Sequence, residues 1–291
     1  MHRTLRPFEL LEPQTIEEAV QNLTSNRAKV LAGGLDLISK MRRWQMKPEC
    51  LVSIQRIPGL DYIEDNGTDG LRIGALTTLR NLELSSTIRK HYVPLYEAVH
   101  QIASVQVKTM GTAVGNICVA TPASDIAPVL FVCGAELKIV GSDGEKTVPI
   151  DTFYRGLEET ILEADQIVTE VCIPRVPVGS GGAFLKLAHT AACIAKVNAA
   201  VMVTVTDGIC KEARIALGAV APTVIRATRG EEVLKGKAID DRIIQRAAEA
   251  SVEASTPITD LRSNAEYRKE MVGVLVKRGI EKALQRAKAQ Q

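Results

Sequence analysis

Met110-Gly-Thr-Ala-Val-Gly-Asn-Ile-Cys-Val-Ala-Thr-Pro-Ala-Ser-Asp125 is the stretch whose reading decides the fold, and about eighty residues upstream it has a companion, Val30-Leu-Ala-Gly-Gly-Leu-Asp-Leu37. Each sets glycines and a small polar residue beside an apolar, strand-like run, and each is followed by an acid. Glycine has no side chain to keep a ligand off the main chain, so bare N–H groups at such turns can meet phosphate oxygens. One glycine-rich turn carries little information. Two of them suggest an extended, phosphate-bearing cofactor held between two lobes.

Outward from these turns, helix and strand alternate. Thr15-Ile-Glu-Glu18 has capping-box spacing and predicts a helix through about Leu23. Lys29-Val-Leu31 reads as a strand ending at Gly33-Gly34, residues 37–43 as a helix, and residues 50–54 as a strand. A second lobe follows, with a strand at 71–75 and helices at 79–84, 94–103 and 126–133. Residues 136–140 and 146–150 alternate in period two around Ser142-Asp-Gly144, which predicts a hairpin. Another strand covers 166–173. Pro174-Arg-Val-Pro-Val-Gly-Ser-Gly-Gly182 reads as a linker. Beyond it, strands at 183–187, 199–206 and 213–220 and helices at 226–234, 240–255 and 265 to the C-terminus predict a separate α+β unit.

Composition excludes several function classes. The chain has 291 residues, enough for two domains, and its 36 basic and 34 acidic residues leave a formal net charge of +2. That balance offers nothing to attract nucleic acid, and 3% aromatic content is too little for stacked bases. No apolar run approaches a membrane span and the N-terminus lacks a signal-like apolar core, so the expected location is cytoplasmic. The six cysteines are well separated, without a Cys-x-x-Cys pair, which argues against zinc and iron–sulfur sites; Cys133 and Cys172 are expected as buried free thiols. The four histidines form no close pair, so no metal site is expected.

A Rossmann site needs G-x-G-x-x-G between strand and helix, and no such string occurs; Gly179-Ser-Gly-Gly182 comes nearest but falls in the linker. The triphosphate-binding G-x-x-x-x-G-K-[ST] is also absent. Gly33-Gly34 alone would fit an ordinary strand-to-helix turn. In the second stretch, Gly111 and Gly115 flank Thr112, and Asn116 can bond locally or to a ligand. Asp125 sits where a helix begins, either as a cap or as an acceptor for cofactor hydroxyls. Lys186 on an alternating strand would ordinarily face solvent. Val168 could line a ring or belong to ordinary core.

Taken together, the order and spacing of five segments resemble the FAD-binding medium subunit of the molybdenum hydroxylases, the carbon monoxide dehydrogenase and xanthine dehydrogenase family. They are Ala32–Asp36, Gly111–Asn116 with Ala120–Asp125, Phe153–Gly156, Asp165–Pro174 and Ala216–Pro222. The resemblance implies an α+β chain: a two-lobed FAD-binding domain of the p-cresol methylhydroxylase/vanillyl-alcohol oxidase type, then a smaller C-terminal domain with a three-stranded sheet and helices. The implied boundaries are residues 1–176, with lobes of about 1–56 and 57–176, and residues 180–291. It further implies that FAD is held through Val30, Leu31, Ala32, Gly33, Gly34, Leu35, Asp36 and Leu37 in the first turn and Thr112, Ala113, Val114, Gly115 and Asn116 in the second. Asp125, Val168 and Lys186 would also contact it, and no residue would be catalytic.

By the same resemblance, molybdopterin lies on a large partner subunit and two [2Fe-2S] clusters on a small one. This chain would pass electrons through FAD to NAD, a quinone or oxygen. Three positions depart from the family pattern: Val114 stands for a usual glycine, Leu35 for a common hydroxyl residue, and residues 187–196 lack a usual arginine pair and aspartate. The first two departures, Val114 and Leu35, motivate a rival reading, an assembly subunit of the same complex with weak or absent flavin binding. A self-sufficient flavin oxidase is the other rival, but no large substrate-binding cap domain is evident.

Overall fold

The computed structural model describes residues 4–24 and 27–289. Met1–Arg3, at the start of the expected first lobe, and the last two residues of the expected C-terminal helix lie outside them. The first lobe contains β1 (Glu9–Leu11), α1 (Ile16–Leu23), β2 (Ala28–Leu31), α2 (Leu35–Arg42) and β3 (Cys50–Ser53), with the strands parallel in the order β1-β3-β2. The Thr15 hydroxyl accepts from the Glu18 amide at 3.1 Å, while the Glu18 carboxylate reaches back to the Gln14 amide at 2.8 Å, so the capping pattern starts α1 as expected.

The second lobe contributes β4 (Ile63–Asp65), β5 (Leu71–Gly74), α3 (Leu79–Leu84), α4 (Ser86–His91), α5 (Val93–His100), α6 (Val105–Met110), α7 (Ala113–Cys118), α8 (Ile126–Cys133), β6 (Glu136–Gly141) and β7 (Gly144–Pro149). A small β8 (Tyr154–Gly156) and β9 (Glu159–Thr160) pair precedes β10 (Ile167–Ile173). Its main sheet runs β4-β5-β10-β6-β7. One continuous core spans both lobes, from Ala19 and Val52 to Leu71, Leu137 and Val171.

The remaining chain forms β11 (Ser180–Leu187), β12 (Val197–Thr206), β13 (Ile209–Gly218), β14 (Ile225–Arg226), α9 (Thr228–Leu234), α10 (Asp241–Glu253) and α11 (Ala265–Ala289). The sheet is antiparallel in the order β11-β12-β13-β14. Period-two alternation sends its two faces to different cores. Ala183, Ala199, Val201, Ile215 and Leu217 pack in the cluster that includes α10 and α11, whereas Phe184, Ala200 and Ala216 join the core of the first two lobes.

Several expectations need correction. Ser180, Gly181 and Gly182 open β11 rather than belonging to the linker. The sheet has a fourth strand, because Ile225 and Arg226 pair with β13 and the helix expected from residue 226 begins at Thr228. The glycine–asparagine stretch is not a plain loop: Ala113–Cys118 is a helix, capped by Thr112. Cys133 and Cys172 are half-buried rather than buried, and all six cysteines are free thiols. Among the described residues, no helix is long and apolar enough to cross a membrane, and no group of three histidine, cysteine or acidic side chains is placed to hold a metal ion.

Candidate functional site

The two glycine-rich bends lie against each other. A Cβ built on Gly33 would stand 2.1 Å from the Met110 carbonyl oxygen and 3.1 Å from the Gly111 Cα, so only glycine allows this approach. Leu35 completes the contact from the first bend, with its Cδ1 3.1 Å from where a Gly111 Cβ would be. The second bend is anchored by Leu79, whose amide donates to the Gly111 carbonyl at 2.8 Å, and by the Ala113 amide, which donates to Thr77 O at 3.1 Å.

The free amides are unequally divided. Gly34, in the left-handed region at φ 72°, leads into α2, whose start has no side-chain cap. Among the described residues, none accepts a hydrogen bond from the amides of Gly33, Gly34, Leu35, Asp36 or Leu37. These N–H groups point from the positive end of an eight-residue helix, the local chemistry that suits a phosphate. In the second bend, by contrast, Ala113 is spent on Thr77, Gly115 on the Thr112 hydroxyl at 3.0 Å, and Asn116 on the Thr112 carbonyl at 3.0 Å. Among the described residues, only the Thr112 and Val114 amides lack an acceptor in that bend. Val114, the departure from the family glycine, turns its side chain into the core at 5% exposure.

A polar chain leads from the second bend to the C-terminal sheet. Asn116 Oδ1 accepts from the Ser124 hydroxyl at 2.7 Å, and Ser124 Oγ in turn caps α8 by accepting from the Ala127 amide at 3.2 Å. Asp125 makes no capping bond. Its carboxylate instead accepts from Lys186 Nζ at 2.5 Å and from Asn198 Nδ2 at 2.8 Å. The Lys186 side chain is 4% exposed, so the solvent-facing reading of that lysine is overturned. Burial pushes the Asp125 carboxyl above its ordinary range, while Lys186 and Asn198 pull it back toward the charged form.

Other family-like segments converge on the same place. The Glu158 amide donates to Ala120 O at 3.0 Å, and the Ala219 amide to Pro122 O at 2.7 Å. Ala120, Glu158 and Ala219 all hold positive φ, an uncommon state for residues with a Cβ. Val168 is buried in β10, the strand on which α7 packs. Sequence reasoning missed Asn198, although a lone amide between Val197 and Ala199 in an apolar strand was a signal. It also missed the carbonyls of Met110 and Gln101, for which no sequence signal exists. A cavity of about 660 Å³, lined by Lys90, Tyr92, Arg175, Met202 and Arg286 among others, shares no residue with either bend.

A two-lobed domain with paired amide-bearing bends, followed by an α+β domain, defines a class, and comparison with known proteins places the chain in it. The chain belongs to the family of FAD-binding domains in molybdopterin dehydrogenases, matched over residues 6–176, and carries a CO dehydrogenase flavoprotein C-terminal domain over residues 183–283. It is 34% identical to the carbon monoxide dehydrogenase medium chain of Hydrogenophaga pseudoflava over 95% of this chain and 96% of that one. It is 28% identical to the xanthine dehydrogenase FAD-binding subunit of Escherichia coli O157:H7, over 93% and 94% of the two chains. Its structure matches that of the H. pseudoflava carbon monoxide dehydrogenase lacking the Mo-pyranopterin moiety with a TM-score of 0.94 at 35% identity, covering 97% of this chain and 99% of that one. FAD is the cofactor of this family, and its relatives are medium chains and FAD subunits of oxidoreductases.

Proposed function

We propose that this chain is the FAD-binding, electron-transferring subunit of a molybdenum-containing hydroxylase or dehydrogenase. Electrons would arrive from iron–sulfur clusters on a small partner subunit and leave to NAD, a quinone or oxygen, while the organic substrate is handled on a large molybdopterin subunit. The observation that carries the reading is the contact between Gly33 and Met110–Gly111, which sets the two bends side by side. The amides of residues 33–37, with those of Thr112 and Val114, provide donors suited to a diphosphate.

When bound, FAD supplies the redox chemistry; the protein supplies position and electrostatics. Val30, Leu31 and Ala32 deliver the chain to the first bend, and the start of α2 offers partial positive charge to the phosphates. Thr112 shapes the second bend by holding the Gly115 amide. The Asp125–Lys186 pair fixes a buried cation beyond Asn116, and Val168 contributes apolar surface. No side chain here needs to act as acid, base or nucleophile.

The rival reading, an assembly subunit without flavin, drew on Val114 and Leu35. Val114 points into the core, and Leu35 packs against the second bend while its amide remains free, so neither side chain removes a main-chain donor. Purification of the full chain, its visible flavin spectrum and release of FAD on denaturation test the proposal. A colourless protein that takes up no FAD on reconstitution would establish the rival.

A further inference from the structure

Lys186, Asn198 and Gly218 form a row across three strands. Lys186 pairs in register with Asn198, and Asn198 with Gly218, on the sheet face that turns toward α8. Asn198 is fully buried. Both hydrogens of its amide are committed, one to Ser124 O at 3.0 Å and one to Asp125 Oδ1 at 2.8 Å. Because both partners are acceptors, only the NH2 group can face them, which fixes the amide's orientation. On the other side its Oδ1 has no hydrogen-bond partner among the described residues and rests where a Cβ on Gly218 would come within 2.2 Å.

The consequence falls on Lys186. Its ammonium has three protons and gives two, to Asp125 Oδ2 at 2.5 Å and to Gln101 O at 3.2 Å. The third has no acceptor among the described residues, although the side chain is nearly inaccessible to water. A buried cation with an unspent donor is costly unless a ligand supplies the acceptor. The direction of that donor depends on where Asp125 holds the nitrogen, and Asp125 is held in turn by Asn198.

We propose that Asn198 is a positioning residue for the flavin: by clamping Asp125 it sets the place of the Lys186 ammonium, which offers its third proton to the flavin end of FAD and thereby tunes the cofactor's potential. This rests on the FAD-binding reading. A cation held beside the flavin favours the electron-rich reduced form, so releasing it makes reduction harder.

The test uses the full-length, FAD-loaded chain and compares wild type, Asn198→Leu and Asn198→Ser. Leucine fills the same space without donors; serine keeps a hydroxyl but is too short to span to Asp125, and serves if the leucine variant does not fold. The expected result is a roughly tenfold shift of the two-electron reduction equilibrium toward oxidised flavin, about 30 mV, with FAD affinity within about threefold of wild type because the bends still grip the diphosphate. In a Lys186→Met background the same substitutions should leave the potential unchanged. A wild-type potential in a folded, FAD-bearing Asn198 variant overturns the proposal, as does an equal shift in the Lys186→Met background. A wild-type chain that binds no FAD overturns the underlying reading instead.

Discussion

Replacing Gly33 by alanine adds a single methyl group at the point where the two bends touch. Gly33 is outside the left-handed region, so alanine suits its backbone and the only obstacle is space. The new Cβ would begin 2.1 Å from Met110 O, and real Cβ contacts stay beyond 3.0 Å, so the bends must part by at least 3.0 − 2.1 = 0.9 Å. The obstructing atom is main chain and cannot rotate away. Overpacking of this kind costs about 1–3 kcal/mol of stability. A diphosphate spanning the bends would lose affinity as well. Forfeiting two hydrogen bonds to charged oxygens at about 1.5 kcal/mol each removes about 3 kcal/mol, or roughly 150-fold in affinity. Titrating the apoprotein with FAD, followed by visible absorbance, measures the loss, and circular dichroism checks that the fold survives. A Gly33→Ala protein with wild-type FAD affinity would refute the claim that both bends hold one diphosphate.

At Gly115 a Cβ would meet the Thr112 hydroxyl at 2.7 Å, so Gly115→Val should displace the cap of α7 and abolish FAD retention while leaving the circular dichroism spectrum largely intact; unchanged flavin content would exclude this bend from the site. Glu97 on α5 accepts from Lys282 and Arg286 of α11, each at 2.6 Å to Oε1, and from the Phe184 amide at 3.0 Å. Burial alone would raise its carboxyl, but Arg286, Lys282 and the Phe184 amide outweigh that and hold it below the ordinary range. Its stabilising contribution is therefore present above about pH 4.3, the usual unfolded value, and is lost as pH falls through the lower folded value. Glu97→Gln should cost about 2 kcal/mol in denaturant melts at pH 7 and flatten the acid limb of stability. Arg268, buried in α11, donates to Lys196 O at 2.8 Å, Ala219 O at 3.0 Å and Asp260 at 2.6 Å. Arg268→Met should cost about 2–3 kcal/mol in the same assay, because two carbonyls and a carboxylate lose their donor.

Much of the fold was legible because it is written in local periodicity. The α1 cap, the β6–β7 hairpin and the long strands β12 and β13 follow from short-range patterns that neighbouring residues satisfy among themselves. The errors fall where a distant partner decides. Ser180–Gly182 look like linker because glycine is a poor strand former, yet eight consecutive pairs with β12 hold them in the sheet. Residues 113–118 look like a loop because glycine and asparagine are poor helix formers; here the deciding partner is local, the Thr112 hydroxyl that caps the helix. Asp125 and Lys186 could each be singled out, but neither reveals its partner, since the residues lie 61 positions apart.

From the sequence alone came the two glycine bends, their separation, and the family to which their spacing belongs, since those properties reside in residue order. Tertiary structure decided that Gly33 meets Met110, that the first bend keeps its amides while the second spends most of its own, and that Lys186 turns inward to Asp125. The reason is geometric: whether an N–H is free, or an ammonium buried, depends on which groups folding brings within about 3 Å of it, and those groups come from distant parts of the chain.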